Sequence, residues 1–252
     1  MIASTAGRGP RIAFLHGFTQ TSASWRPVAE RFTDRWTIVL VDLPGHGTAG
    51  ELRCTLDETA DLLAAEIGPA TWVGYSLGAR HALHVALRHP EIVERLVLLG
   101  GTAGIDDPGE RAARRASDEE LAVSLERDGV DAFLDRWLAN PMFAGLPRDA
   151  AGLAERRANT SAGLAASLRL AGTGTQQPSW DTLAELRMPV LVTAGEEDAK
   201  FSALGRRMAR AIGPNARFAA IAGAGHAAHL ERPDAFSAVL EEFLSRPAPA
   251  RG

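Results

Sequence analysis

The chain has 252 residues, 46% of them hydrophobic, with 27 Lys and Arg against 31 Asp and Glu for a net charge of −4. That length buries a full core in one domain with an insertion, and the mildly acidic balance speaks against nucleic acid or an anionic membrane as partner. A lone Cys54 in a Leu-Arg-Cys-Thr setting excludes an intrachain disulfide and matches no metal or redox motif. Residues 1–10 lack the apolar core of a signal peptide, and no apolar run is long enough to span a bilayer. The expectation is a soluble cytoplasmic protein, monomer or homo-oligomer, with neither cofactor nor metal.

Residues 11–15 form a short apolar run between Pro10 and the polar loop His16-Gly17-Phe18-Thr19-Gln20, which reads as a buried strand. A short helix is predicted over 25–32, with Ser22 or Ser24 as its cap. Residues 37–41 are continuous in β-branched and apolar side chains, as a parallel sheet buried on both faces requires, and end in the turn Asp42-Leu-Pro-Gly-His-Gly47. Thr55-Leu-Asp-Glu58 is a capping box that opens a helix to about Ile67. A strand over 70–73, a helix from Leu77 to about His89, the breaker Pro90 and a strand over 95–99 follow.

There the alternation stops. Residues 104–177 are rich in Ala, Arg, Leu and Glu at helical spacing and carry no strand signal. Strands over 190–193 and 217–221 and helices over 203–212 and 234–244 then resume the pattern, and a tail from Arg246 to Gly252 reads as disordered. The fold class is α/β: a mostly parallel, doubly wound sheet with an inserted helical cap. The core covers 1–103 and 178–252, and the cap covers 104–177.

Between the strand at 70–73 and the following helix stands Gly74-Tyr75-Ser76-Leu77-Gly78. Gly-x-Ser-x-Gly alone is a weak pattern, but at a strand-to-helix junction it is a nucleophile elbow that exposes the serine hydroxyl above the sheet. A serine needs a base, and the base needs a group to fix its tautomer. Among seven histidines, His81, His84 and His89 read as packing or surface residues and His46 as a turn anchor. His226 stands in a loop after the last strand, with His229 structural beside it. Gly195-Glu-Glu-Asp198 follows the strand over 190–193 and supplies the acid, taken as Asp198. The backbone N–H groups of Leu77 and Phe18 are the candidate oxyanion hole.

Leu-His-Gly-Phe, Asp-Leu-Pro-Gly-His-Gly, Gly-Tyr-Ser-Leu-Gly and Gly-Ala-Gly-His-Ala-Ala-His-Leu-Glu-Arg-Pro together resemble the α/β-hydrolase superfamily from Leu15 to the C-terminal helix. A narrower set resembles the 2-succinyl-6-hydroxy-2,4-cyclohexadiene-1-carboxylate synthases of menaquinone biosynthesis. It comprises Gly74-Tyr-Ser-Leu-Gly-Ala-Arg80, Arg111-Ala-Ala-Arg-Arg115 with Ser117-Asp118, Trp137, Pro141-Met-Phe143, Arg157 with Asn159, Gly172-Thr-Gly-Thr-Gln-Gln-Pro178 with Trp180, and Asp198-Ala-Lys-Phe201. That resemblance implies a lyase that expels pyruvate from a small tricarboxylate. Arg80, Arg114 and Arg157 would grip its carboxylates, Arg114 being open to exchange with its neighbour Arg115, and Tyr75, Trp137 and Lys200 would line the same site. A serine esterase or carbon–carbon bond hydrolase uses the same triad and is the competing reading. A non-catalytic ligand-binding member of the fold has no need of all three triad residues. In two respects the chain departs from the family. Ala79 replaces the usual second glycine before the arginine, and the ten residues ahead of the first strand leave the opening antiparallel strands shortened or absent.

Overall fold

A computed structural model of the chain describes residues 1–246. The tail expected to be disordered lies outside the described residues except for Arg246, which donates to Glu242 at 2.7 Å. Seven strands, β1 (Ile2–Gly7), β2 (Arg11–Leu15), β3 (Thr37–Val41), β4 (Ala70–Tyr75), β5 (Val93–Leu99), β6 (Val190–Gly195) and β7 (Ala216–Ile221), form one sheet. Their order is β1-β3-β2-β4-β5-β6-β7, and every neighbouring pair is parallel except β1 with β3. The chain runs from β2 outward to β3, then returns to the far side of β2 as β4. Ligands in such sheets bind where the order reverses, at the carboxyl ends of the strands. Here that point lies between the ends of β2 and β4, which carry His16 and Ser76.

The opening strand corrects the sequence-based expectation. β1 is present as an antiparallel edge strand, and Gly7 and Gly9, both at positive φ, turn the chain back into β2. Its side chains are almost all exposed, so it has no apolar pattern to read, and backbone bonds to β3 hold it. The helix expected over 25–32 is divided into a 3₁₀ turn over Ser22–Trp25, α1 (Arg26–Ala29) and a second 3₁₀ turn over Glu30–Phe32. Neither Ser22 nor Ser24 caps it; Ser24 Oγ instead donates to the Thr21 carbonyl at 2.9 Å.

The interior strands alternate their side chains between two apolar layers. Ala13, Leu15, Val39, Val41 and Trp72 face α2 (Leu56–Ile67), α3 (Leu77–Arg88) and the later α7 (Ala199–Ile212). Ile12, Phe14, Ile38, Val73 and Val97 face α1 and the closing helix. The Thr55–Glu58 capping box is formed in both directions. Between β5 and β6 lie α4 (Pro108–Leu138), α5 (Leu153–Arg157) and α6 (Ser161–Ala171), with no strand among the described residues of that stretch. α4 is broken at Gly129, whose φ of 83° and ψ of 170° are not helical. Ala122, Leu125 and Phe133 of α4 and Leu164 and Leu168 of α6 form a third apolar cluster, to which Phe18 of the β2 loop is packed. The chain finishes with α8 (Ala228–Glu231) and α9 (Pro233–Ser245).

Candidate active site

Ser76 joins β4 to α3 at φ 51° and ψ −104°, left-handed space that a non-glycine residue rarely enters. The turn closes only because its flanks are bare. A Cβ on Gly74 would strike the Gly78 carbonyl, and one on Gly78 would strike the Leu15 carbonyl. Ala79 is buried against Gly101, so the methyl group that departs from the usual glycine is accommodated. Ser76 N–H donates to Leu99 O at 2.8 Å, which anchors the elbow to β5.

His226 Nε2 lies 3.4 Å from Ser76 Oγ, and His226 Nδ1 lies 2.7 Å from Asp198 Oδ2. A carboxylate only accepts, so Nδ1 carries the proton and Nε2 is free to accept from the hydroxyl. The other Asp198 oxygen accepts from Phe201 N at 3.1 Å and caps α7. Such a line can draw the proton from Ser76. Glu196 instead accepts from Gly223 N, and Glu197 is exposed.

The two expected oxyanion donors, the backbone N–H groups of Leu77 and Phe18, belong to residues that line one cavity with Ser76. Leu77 opens α3, where an amide has no intrahelical partner. The Gly17 carbonyl accepts from His16 Nδ1 at 2.8 Å and from Gln20 N at 3.1 Å. In the trans peptide that follows, Phe18 N–H must point the opposite way, and it donates to no described residue. The Phe18 ring is clamped edge-on by Trp137 at 5.3 Å and by His46 at 5.8 Å.

His16 and His46 are structural. The Nδ1–H of His16 donates to Gly17 O and its Nε2 accepts from Leu43 N; His46 uses Pro44 O and Thr19 N in the same way. Burial holds the His16 pKa down to about 4 and that of His46 to about 3. His229 is buried between the Trp25 and Tyr75 rings, with centroids at 4.3 and 4.4 Å. His81 is buried in α3, while His84 and His89 pair with Asp57 and Asp61.

A cavity of about 320 Å³ runs over Ser76 and His226. Tyr75, Arg80, Arg114, Trp137 and Lys200 line it as expected from the sequence, and Arg115 does not. A second cavity of about 360 Å³ adjoins it and shares Ser76, Arg80, Arg114, Lys200 and Phe201. Arg80 is 7% exposed and donates to Ala171 O at 2.6 Å. Burial, aided by the neighbouring Arg114 and opposed by Asp118, lowers its pKa to about 10. Arg114 pairs with Asp118 at 2.8 Å.

Arg157 does not belong to this set. It is half exposed and pairs with Asp131 at 2.7 Å on the surface. The cavity is lined by Arg156, one residue earlier, which a helix turns by about 100° relative to its neighbour. Arg156 is 2% exposed, donates through Nε to Ala151 O at 2.7 Å and through Nη1 to Thr19 Oγ1, and has no carboxylate partner among the described residues. Burial pulls its pKa down to about 10. Sequence spacing could not separate two adjacent arginines in so short a helix. Phe143 and Phe201, ring neighbours of His226 at 6.1 and 4.5 Å, complete the wall around the base.

The alpha/beta hydrolase family model matches residues 12–239. The chain belongs to that family. It is 36% identical to the 2-succinyl-6-hydroxy-2,4-cyclohexadiene-1-carboxylate synthase of Enterobacter sp. (strain 638) over 247 residues, 93% of this chain and 92% of that one. Among solved structures it resembles MenH from S. aureus with a TM-score of 0.90 and 29% identity, covering 96% of this chain and 97% of that one. A thermophilic esterase from Thermogutta terrifontis, determined with malate bound, matches with a TM-score of 0.80 and 25% identity over 96% of this chain and 91% of that one. Among the described residues, no helix is long and apolar enough to cross a membrane, and no group of three or more His, Cys, Asp or Glu is placed to hold a metal.

Proposed function

We propose that this family member is a lyase of menaquinone biosynthesis. It eliminates pyruvate from 2-succinyl-5-enolpyruvyl-6-hydroxy-3-cyclohexene-1-carboxylate to give 2-succinyl-6-hydroxy-2,4-cyclohexadiene-1-carboxylate. The observation that carries this reading is the pair of buried guanidiniums, Arg80 and Arg156, that line the Ser76 cavity and form no ion pair with a carboxylate among the described residues. A buried charge left unpaired is costly. An anionic ligand offsets that cost, and a substrate with three carboxylates supplies enough anions for Arg80, Arg156 and the flanking Arg114 and Lys200. The names of the relatives give the same product.

The triad acts as a base. His226 takes the Ser76 proton, and Ser76 Oγ removes the proton from the carbon beside the succinyl ketone. The electron pair moves onto the ketone oxygen, which the Phe18 and Leu77 N–H groups stabilise. Collapse of that enolate breaks the bond between the ring carbon and the ether oxygen, and the departing enolpyruvate takes the proton held by His226 and becomes pyruvate, which returns His226 to its neutral form. Ser76 is restored without having been acylated. The likeness to an esterase gives the second reading, acyl transfer through Ser76. Pyruvate release from the enolpyruvyl substrate, assayed beside p-nitrophenyl acetate hydrolysis, separates them: the first activity should dominate, and ester hydrolysis without pyruvate release would reverse the assignment.

A further inference from the structure

Beside Arg156 the cavity wall contains a second buried donor. Gln20 is 2% exposed and lines the Ser76 cavity, and with Arg156 it also forms the partition to a smaller cavity of about 210 Å³ behind it. Its backbone N–H donates to Gly17 O, and its side-chain Oε1 accepts from Gly17 N at 2.9 Å. Gly17 is thus held through both of its backbone groups by one residue. Because a carboxamide is planar and its oxygen is committed to the loop, its nitrogen end is turned away from the loop. That Nε2 makes no hydrogen bond with any described residue. Unlike the sealed Trp25 and Trp72 ring nitrogens, it keeps accessible surface and is open to an acceptor in the cavity, and among the described residues no acidic side chain is paired with Arg156 either.

We propose that Gln20 is a specificity-determining residue that links recognition to the oxyanion site. Its Nε2 donates to the carboxylate that Arg156 receives. Its Oε1 fixes the loop whose next amide, Phe18 N–H, stabilises the enolate. The inference rests on the assignment of a carboxylate ligand to this cavity, and its test does not require turnover.

The experiment compares full-length wild type with Gln20→Met, which keeps the length but has neither donor nor acceptor, and Gln20→Glu, which keeps the oxygen for Gly17 N–H and replaces the donor by an anion. Calorimetric titration with succinate measures recognition. The rate at which a neutral fluorophosphonate labels Ser76 measures the oxyanion loop. Both variants should bind succinate about 10- to 100-fold more weakly, the size of one hydrogen bond to a charged group. Labelling should slow about 10-fold in Gln20→Met and stay within about 2-fold of wild type in Gln20→Glu. Wild type that does not bind succinate, or succinate affinity unchanged in either variant, overturns the recognition role. Equal labelling rates in the two variants overturn the link to the loop. Should Gln20→Met fail to fold, Gln20→Glu alone decides, since unweakened succinate binding there is contrary to the proposal. Pyruvate release is measured on the same preparations. Its absence from wild type defeats the lyase assignment, while succinate binding continues to judge Gln20.

Discussion

Asp198 divides its carboxylate between two tasks: Oδ2 meets His226 Nδ1 at 2.7 Å, and Oδ1 accepts the Phe201 amide that opens α7. The two tasks can be separated by substitution. Asp198→Asn keeps an oxygen for the cap but offers the imidazole a surface that no longer selects one tautomer. The variant should therefore retain its unfolding midpoint and lose up to ~10⁴-fold in kcat. Asp198→Ala loses the cap as well and should also be less stable by about 1 kcal/mol. Denaturant titrations and steady-state kinetics on the two variants check both parts, and a mild Asp198→Asn beside a damaging Glu197→Gln would shift the acid elsewhere.

The guanidiniums make a contrast between sequence neighbours. Arg156→Lys removes a fixed fork from a buried wall and should lower kcat/KM on the tricarboxylate about 10- to 100-fold. Arg157→Ala breaks only an exposed pair with Asp131 and should stay within about 2-fold of wild type. Arg80→Lys should behave like Arg156→Lys. Kinetics in which Arg157→Ala is the damaging change would restore the position read from the motif.

These two cases mark what the sequence carries. The elbow was legible because Gly-x-Ser-x-Gly sits between a strand and a helix whose periods differ, and the chain order Ser76, Asp198, His226 follows from strand ends. The family and its fold were legible from motifs spread from Leu15 to the last helix. The choice between Arg156 and Arg157 was not, because α5 has five residues and no periodic face to orient them. β1 was hidden because an exposed edge strand of small residues is specified by its partner's backbone, which leaves no mark in its own pattern. The weight on Gln20 was likewise out of reach: its role depends on two bonds to Gly17 that spacing does not encode.

The buried histidines predict how stability changes with pH. Burial holds His16 at a pKa of about 4 and His46 at about 3, and pushes His81 and His229 well below the ordinary value of 6.5. In the unfolded chain all four take protons near 6.5, so below that value the unfolded state binds more protons than the folded one. Their contribution is fully present above about pH 6.5 and is lost as pH falls toward 4 and 3, by at most ~1.4 kcal/mol per pH unit for each histidine. Urea midpoints should drop steadily from pH 7 to pH 5. His81→Leu should make that slope shallower, because a buried side chain of similar volume no longer titrates on unfolding. Midpoints that stay level across this range would contradict neutral burial.

Ser76 itself supplies the sharpest test of the chemistry. In an esterase its Oγ attacks a carbonyl carbon, and a substrate-derived acyl group resides on it during turnover. In the proposed elimination there is no acyl group to transfer, so Ser76 carries a proton and nothing else. Intact-mass spectrometry on enzyme quenched during turnover should find only the unmodified chain. Ser76→Ala removes the base and should reduce pyruvate release by several orders of magnitude, as loss of a triad member does elsewhere. A trapped substrate adduct on Ser76 would establish acyl transfer and displace the lyase assignment. If Ser76→Ala instead kept most of its activity, the base would be His226, whose Nε2 lies 3.4 Å from the hydroxyl and faces the same cavity. The Phe18 and Leu77 amides would then serve the enolate unchanged, since their placement depends on the elbow and the Gly17 turn rather than on the serine oxygen.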